Sequence, residues 1–266
     1  MEKITAAAIA ARTKVCVLTL SAWRATKMHH NETRAENERH KTNAARVLVK
    51  LSDHASLRDL RTLHQDIYRA HRALTLPTVQ DGMRLIPMGR EFEHADRMRQ
   101  FREQHGRLVA AFLADYEAER AAAPKRLGTL YEAGMFPKAH DMAEKFGVSV
   151  RYLACPTDGT WGEWIAESAR AAELELRDRL TDCLLRVRER CGSDGALYAS
   201  VFDNLRELLD LVPDLNIGNA PDIARAAKAA RVIAEADVDE ARDDKSARES
   251  IAKKADQILS VLGGVR

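Results

Sequence analysis

The residues in this chain best suited to chemistry are cations. Between Trp23 and Lys50 lie Arg24, Lys27, Arg34, Arg39, Lys41, Arg46 and Lys50, among three histidines and three glutamates. Arg58, Arg61, Arg69 and Arg72 continue the series, at spacings that bring them near one helical face, opposite much of a leucine stripe. Such a face tracks phosphates by Coulomb attraction and counterion release. Trp23, beside Arg24, offers a ring on which a base can stack. The glutamates dilute that field, and an ordinary solvated helix is often arginine-rich too. Arg84 and Arg90 flank Leu85, Ile86, Pro87 and Met88. Two readings of that loop stand: two guanidinium groups held toward phosphate on a stiff turn, or a loop that plugs into the fold. Burial of its apolar residues favours the second.

The nine histidines invite a metal reading. His29, His30 and His40 share one polar segment, and His64 and His71 lie two helical turns apart on one face. Glu91 and His94 make one Glu-x-x-His pair, and a di-iron bundle needs a second that the chain does not have. The expectation is therefore no metal and no cofactor. Enzyme signatures are missing as well: there is no Gly-Lys dipeptide for a P-loop, no GxGxxG, no GxSxG and no HExxH. A non-enzymatic protein is expected, with an enzyme of unrecognised site as the minor alternative.

Cys16, Cys155, Cys183 and Cys191 form no CxxC pair and read as buried, reduced thiols. No apolar run approaches the roughly 20 residues a membrane span needs. Arg12 and Lys14 interrupt the apolar stretch from Ala6 to Leu20, where a signal peptide carries its basic residues ahead of the run. These features predict no membrane partner and a cytoplasmic location. The net charge of +2 hides an asymmetry, with 20 Lys+Arg against 12 Asp+Glu over residues 1–110 and 22 against 28 over the rest. Segregated charge points to an anionic partner for one end, or to attraction between the ends.

The elements that must position these residues are mostly helical, since Ala, Arg, Leu and Glu dominate and Gly is sparse. Residues 14–20 and 148–154 predict strands, paired with each other in a small sheet. Residues 44–49 look helical. Ser56 reads as an N-cap, with Asp59 three residues on, for a helix to Leu74. Residues 75–90, with Pro77, Asp81-Gly82 and Pro87, fit a short hairpin or ordered loop. A long helix from Glu91 stops at Pro124, and two short helices fill 127–146. Beyond Trp161, Ile165, Ala169, Ala172, Leu176, Leu180, Cys183, Val187 and Cys191 recur at steps of three and four, a narrow apolar stripe. That stripe is either an intersubunit seam or the core of a hairpin with 196–212. Pro213 closes the second helix, and helices near 221–236 and 246–262 follow across the charged stretch 237–245. The expected fold is α+β, predominantly helical, with a basic α+β domain over 1–157 and a helical, oligomerising domain over 158–266.

LTLSAW at 18–23, Lys27 and Thr33, LPTVQDGMRLIPM at 76–88, RLGTLYEAGMFP at 126–137 and VRYLACPT at 150–157 form a pattern. It resembles the Drc-type cofactors, phage proteins that bind single-stranded DNA and assist the phage RNA polymerase. The resemblance covers residues 14–157. It departs after Trp23, where the family pattern has Ser-Gly-Arg or Thr-Gly-Arg and this chain has Arg24-Ala25-Thr26, without the glycine of a tight turn. The resemblance implies single-stranded DNA as partner, with RNA polymerase as a second. The expected function is a non-enzymatic phage single-stranded DNA-binding protein, a homo-oligomer acting in transcription, replication or recombination. The alternative is an assembly adaptor that uses the C-terminal helices and binds no nucleic acid.

Overall fold

The computed structural model describes residues 5–155, 161–193 and 195–263. The fold is α+β and predominantly helical. In chain order the elements are α1 (Ala6–Ala10), β1 (Thr13–Ser21), β2 (Thr26–Met28), α2 (His30–His40), β3 (Leu48–Lys50), α3 (Ala55–Leu74), β4 (Leu76–Pro77), β5 (Arg84–Pro87) and α4 (Glu91–Leu127). Then come α5 (Ala139–Met142), β6 (Gly147–Ala154), α6 (Gly162–Cys191), α7 (Ala199–Leu215), α8 (Pro221–Ala234), α9 (Val238–Asp243) and α10 (Lys245–Gly263). One sheet has the order β4-β5-β1-β6, so the two strands predicted from the sequence are neighbours; β2 and β3 form a second, two-stranded ladder. β1 runs antiparallel to β5 with Cys16 opposite Arg84. Gly82, at φ +80°, makes the turn between β4 and β5 in a conformation that a side chain resists.

Contacts divide the chain into two compact units, each assembled from separated stretches. The expected boundary at residue 157 lies outside the described residues; the chain passes between the two units after Val17, Ala70, His94 and Val150. The first unit comprises residues 1–17, 71–94 and 151–266. Its helices pack in a ring, α6 on α7, α7 on α8, α8 on α10 and α10 back on α6. The apolar stripe of α6 lies inside that ring: Leu176, Leu180 and Val187 are fully buried, with Ile165, Ala172 and Cys191 nearly so. The stripe is an internal core, and the intersubunit seam has no surface there. Arg177 on α6 is buried too, 2.5 Å from Asp222 at the first turn of α8. Burial pushes the Asp222 carboxyl up, and Arg177 more than offsets this, leaving it below the usual range.

The second unit comprises residues 18–70 and 95–150. Its aromatic core sets Trp23 against Phe112 and Tyr116, at ring separations of 5.8 and 5.9 Å. Leu57, Leu60 and Met142 complete this cluster, and Leu63, Ile67 and Met98 form another.

Several local expectations change. Residues 44–49 are extended into β3: Lys41 takes the left-handed conformation (φ 48°) that ends α2, and the Asn37 side chain binds the backbone of Ala45 in both directions. The cap of α3 is His54, whose Nδ1 accepts from the Ser56 amide at 3.2 Å, so Ser56 lies inside the helix. Pro124 does not stop α4, which runs one turn further to Leu127. The proline removes one bond of the ladder, and Arg126 donates from the following turn to the Lys50 and Leu51 carbonyls. Pro213 likewise lies within α7, and the charged stretch at 237–245 contains the short helix α9, capped by Asp237.

Ala25, two residues after Trp23, adopts φ 52°. The turn forms without glycine, at the ~1–2 kcal/mol a left-handed L-residue costs. Ala25 is buried, and its carbonyl accepts from the Leu51 amide at 2.7 Å. Ala25→Gly relieves that strain but loses a buried methyl and gains chain entropy, so its stability should stay within about 1 kcal/mol of the parent. Ala25→Val should destabilise by roughly 2–3 kcal/mol, since a branched Cβ fits neither the backbone nor the space. Urea denaturation midpoints check the pair, and equal midpoints for both variants would mean the left-handed turn is not formed.

Candidate functional site

The charge asymmetry follows the two units. The second unit carries 19 Lys+Arg against 14 Asp+Glu, the first 23 against 26. Arg24, Lys27, Arg34, Arg39, Lys41, Arg46, Lys50, Arg58, Arg61 and Arg69 all belong to the basic unit and are all exposed.

They are not equally available. On α2, Arg34 pairs with Glu38 at 2.9 Å and Arg39 with Glu36 at 2.7 Å. Lys50 is paired with Asp53, holding that carboxyl below the usual carboxylate range. Lys27 donates to the Gly134 carbonyl, and Arg46 to the carbonyls of Asn43 and Ala45. The glutamates of α2 therefore neutralise its arginines, as i,i+3 and i,i+4 spacing allows.

The outer face of α3 differs. Leu57, Leu60, Leu63 and Ile67 bury one side of the helix. At about 100° per residue, Arg58, Arg61, Tyr68 and Arg69 fall within about 100° of one another on the other side, along roughly 16 Å of helix. Arg58 donates to the Asp53 carbonyl at 2.7 Å and Arg61 to the Leu57 carbonyl at 3.2 Å; both bonds are to backbone, although the Asp53 carboxylate also lies within reach of the Arg58 charge. Arg69 is paired with Asp66 at 3.0 Å. Tyr68 is half exposed among these guanidinium groups. Sequence reasoning missed it because a lone tyrosine in an arginine-rich stretch has no spacing signature. Arg72 lies on the same helix but is counted with the first unit.

Three predicted residues are occupied otherwise. The Trp23 ring, expected as a stacking platform, is half-buried and packed against Phe112 and Tyr116. Arg84 donates to Thr75 Oγ1 at 2.7 Å, to the Thr75 carbonyl and to Glu175 at 2.7 Å. Arg179 from α6 joins it on Glu175 and donates to the Arg72, Ala73 and Thr75 carbonyls. Together these cations cap the C-terminal end of α3, where carbonyls and dipole favour positive charge. Arg90 binds Asp214 at 2.6 Å and Glu93 at 2.9 Å. The loop from 84 to 90 thus packs, as the burial of Leu85 and Ile86 requires, although Met88 stays exposed.

Four of the nine histidines form two separate pairs. His64 stacks on His105 at 5.4 Å, while His71 Nδ1 is 2.9 Å from His94 Nε2. Glu91, which the Glu-x-x-His reading offered as a ligand, pairs instead with Lys14 at 2.7 Å. His94 Nδ1 lies 2.6 Å from the Tyr152 hydroxyl, and Cys16 completes a buried group with His71 and His94. Burial pushes the Cys16 thiol up to about 12, Glu91 adding to the shift and Arg84 opposing it. Burial pulls His71 down to about 3, with the charges of His94, Arg84 and Arg72 acting the same way. Both groups are therefore neutral near pH 7.

Among the described residues, no helix is long and apolar enough to cross a membrane. No family model, curated protein or solved structure matches this chain.

Proposed function

We propose that this chain binds single-stranded nucleic acid, DNA in the first instance, through the outer face of α3. The observation that carries this reading is the row Arg58, Arg61, Tyr68 and Arg69 on one exposed face, with two guanidinium groups hydrogen-bonded to backbone carbonyls. Phosphates are met by the arginines, and a splayed base stacks on Tyr68, an arrangement that tolerates any sequence. The positive balance of the unit that carries α3 draws the strand in. The resemblance to Drc-type cofactors points the same way and extends the proposal to a phage protein acting beside RNA polymerase in the cytoplasm. Self-association remains part of the proposal only through a surface other than the α6 stripe.

Fluorescence anisotropy with a labelled oligonucleotide tests it. The single strand should bind more tightly than the matching duplex, because a duplex hides the faces of its bases. About three phosphate contacts give a log–log salt slope near −2, so affinity should fall by about an order of magnitude between ~50 and ~200 mM salt. Absence of binding to either form at low salt rejects the reading.

A further inference from the structure

We propose that Cys16, His71 and His94 form a binding site for a thiophilic transition-metal ion of the zinc class. Cys16 lies mid-strand in β1, His71 in the last turn of α3 and His94 in the first turn of α4. Cys16 and His94 are fully buried and His71 nearly so. All three belong to the first compact unit, although 78 residues of sequence separate the first from the last.

One sulfur and two imidazole nitrogens make a donor set that suits zinc or copper(I) and does not suit magnesium or calcium, which take oxygen. The spacing fits. Bonds of about 2.3 Å to sulfur and 2.0–2.1 Å to nitrogen place tetrahedral donors about 3.3–3.6 Å apart. The three donor atoms lie within 4.8 Å of one another. The 2.9 Å His71 Nδ1 to His94 Nε2 hydrogen bond opens by a few tenths of an ångström as the ion replaces the shared proton. Tyr152 supplies the outer partner that metal-bound imidazoles keep. Its hydroxyl, 2.6 Å from His94 Nδ1, accepts a hydrogen bond from the N–H there and leaves Nε2 as the donor to the ion. The thiol gives up its proton on binding, since the thiolate is the ligand. Three protein donors leave the fourth tetrahedral position to a water or another small ligand, and the bound ion fastens β1 to the end of α3 and the start of α4.

The competing arrangement is a Tyr152–His94–His71 hydrogen-bonded chain beside an inert thiol. Titration of the chelator-treated full chain with cobalt(II), under reducing conditions, separates the two. The site should take one equivalent, show a thiolate-to-cobalt charge-transfer band, and release cobalt to zinc but not to magnesium. Cys16→Ser should lose that band, while Cys183→Ser, which alters a thiol outside the cluster, keeps it. Zinc-edge X-ray absorption on the unaltered chain needs no variant to fold, and should show one sulfur near 2.3 Å with two imidazole nitrogens near 2.0 Å. Zinc at about a hundredfold excess over Kd should raise the unfolding midpoint by about 5 °C or more. No charge-transfer band at saturating cobalt, a band that survives in a folded Cys16→Ser protein, or a first shell without sulfur each overturns the proposal. Should Cys16→Ser fail to fold, the X-ray absorption shell decides.

Discussion

Leu176→Asp, and separately Leu180→Asp, should abolish cooperative unfolding of the first unit. Both side chains are fully buried in the ring formed by α6, α7, α8 and α10. Removing a buried leucine costs ~2–5 kcal/mol in transfer and cavity terms. An unpaired carboxylate in the same place adds several kcal/mol more, or must be protonated to remain. The sum is comparable with the ~5–15 kcal/mol that stabilises an ordinary domain. The expected result is a broad thermal transition by circular dichroism, with aggregation in light scattering. An intersubunit seam would respond differently, giving smaller particles that still unfold cooperatively. That outcome would contradict the burial of α6 inside its own chain.

The same stripe shows what a sequence discloses and what it withholds. A repeat at steps of three and four announces a helix and its apolar face, since 3.6 residues per turn impose that spacing. Nothing in the repeat says whether the covering helix belongs to the same chain. Strands β1 and β6 are legible for a related reason: β1 carries four β-branched residues, and β6 carries Val148, Val150 and Tyr152 at alternate positions. The failures are local contests of hydrogen bonding. The extension of Ala44–Val47 depends on Asn37 and Thr33 side chains that reach the backbone of Ala45 and Val47. The passage of α4 through Pro124 leads to carbonyl partners found 75 residues away in sequence. The two units are not legible in the sequence, since α3, α4, β1 and β6 each contribute to both, which no change of composition along the chain reveals.

The candidate sites divide in the same way. Charge is legible because it is carried by residue type, so the basic unit is anticipated by the excess of arginine and lysine. Availability is not, because it depends on which carboxylate each cation meets. Arg34 and Arg39 look as free in sequence as Arg58 and Arg61, yet the first two meet glutamates and the second two meet carbonyls. The Cys16, His71 and His94 cluster is illegible, since its members are 55 and 23 residues apart and no short spacing joins them. Its only local trace is His94, four residues into a helix, and a metal reading of that residue looks first to Glu91.

Charge reversal on α3 should therefore matter more than charge reversal on α2. Arg58→Glu, Arg61→Glu and Arg69→Glu together should weaken binding to a single-stranded oligonucleotide by at least about a hundredfold at ~50 mM salt. Each arginine stands for a charge-assisted bond worth ~1.5–3 kcal/mol, and each glutamate adds repulsion from phosphate. The salt slope should flatten toward zero, because the counterions those contacts release are no longer displaced. Helicity should hold, since all three side chains are exposed and a surface substitution seldom exceeds about 0.5 kcal/mol. Tyr68→Ala should reduce affinity by a further factor that salt does not alter, as stacking worth ~1–3 kcal/mol per base is not ionic. Arg34→Glu, Arg39→Glu, Lys41→Glu and Arg46→Glu form the comparison set. Two of those four cations already face glutamates, so their reversal should cost less than the α3 set despite the larger change in net charge. Equal losses from both sets would mean that the strand reads only the total charge of the unit. A loss confined to the α2 set would move the interface to that helix and reject the role given to Arg58 and Arg61.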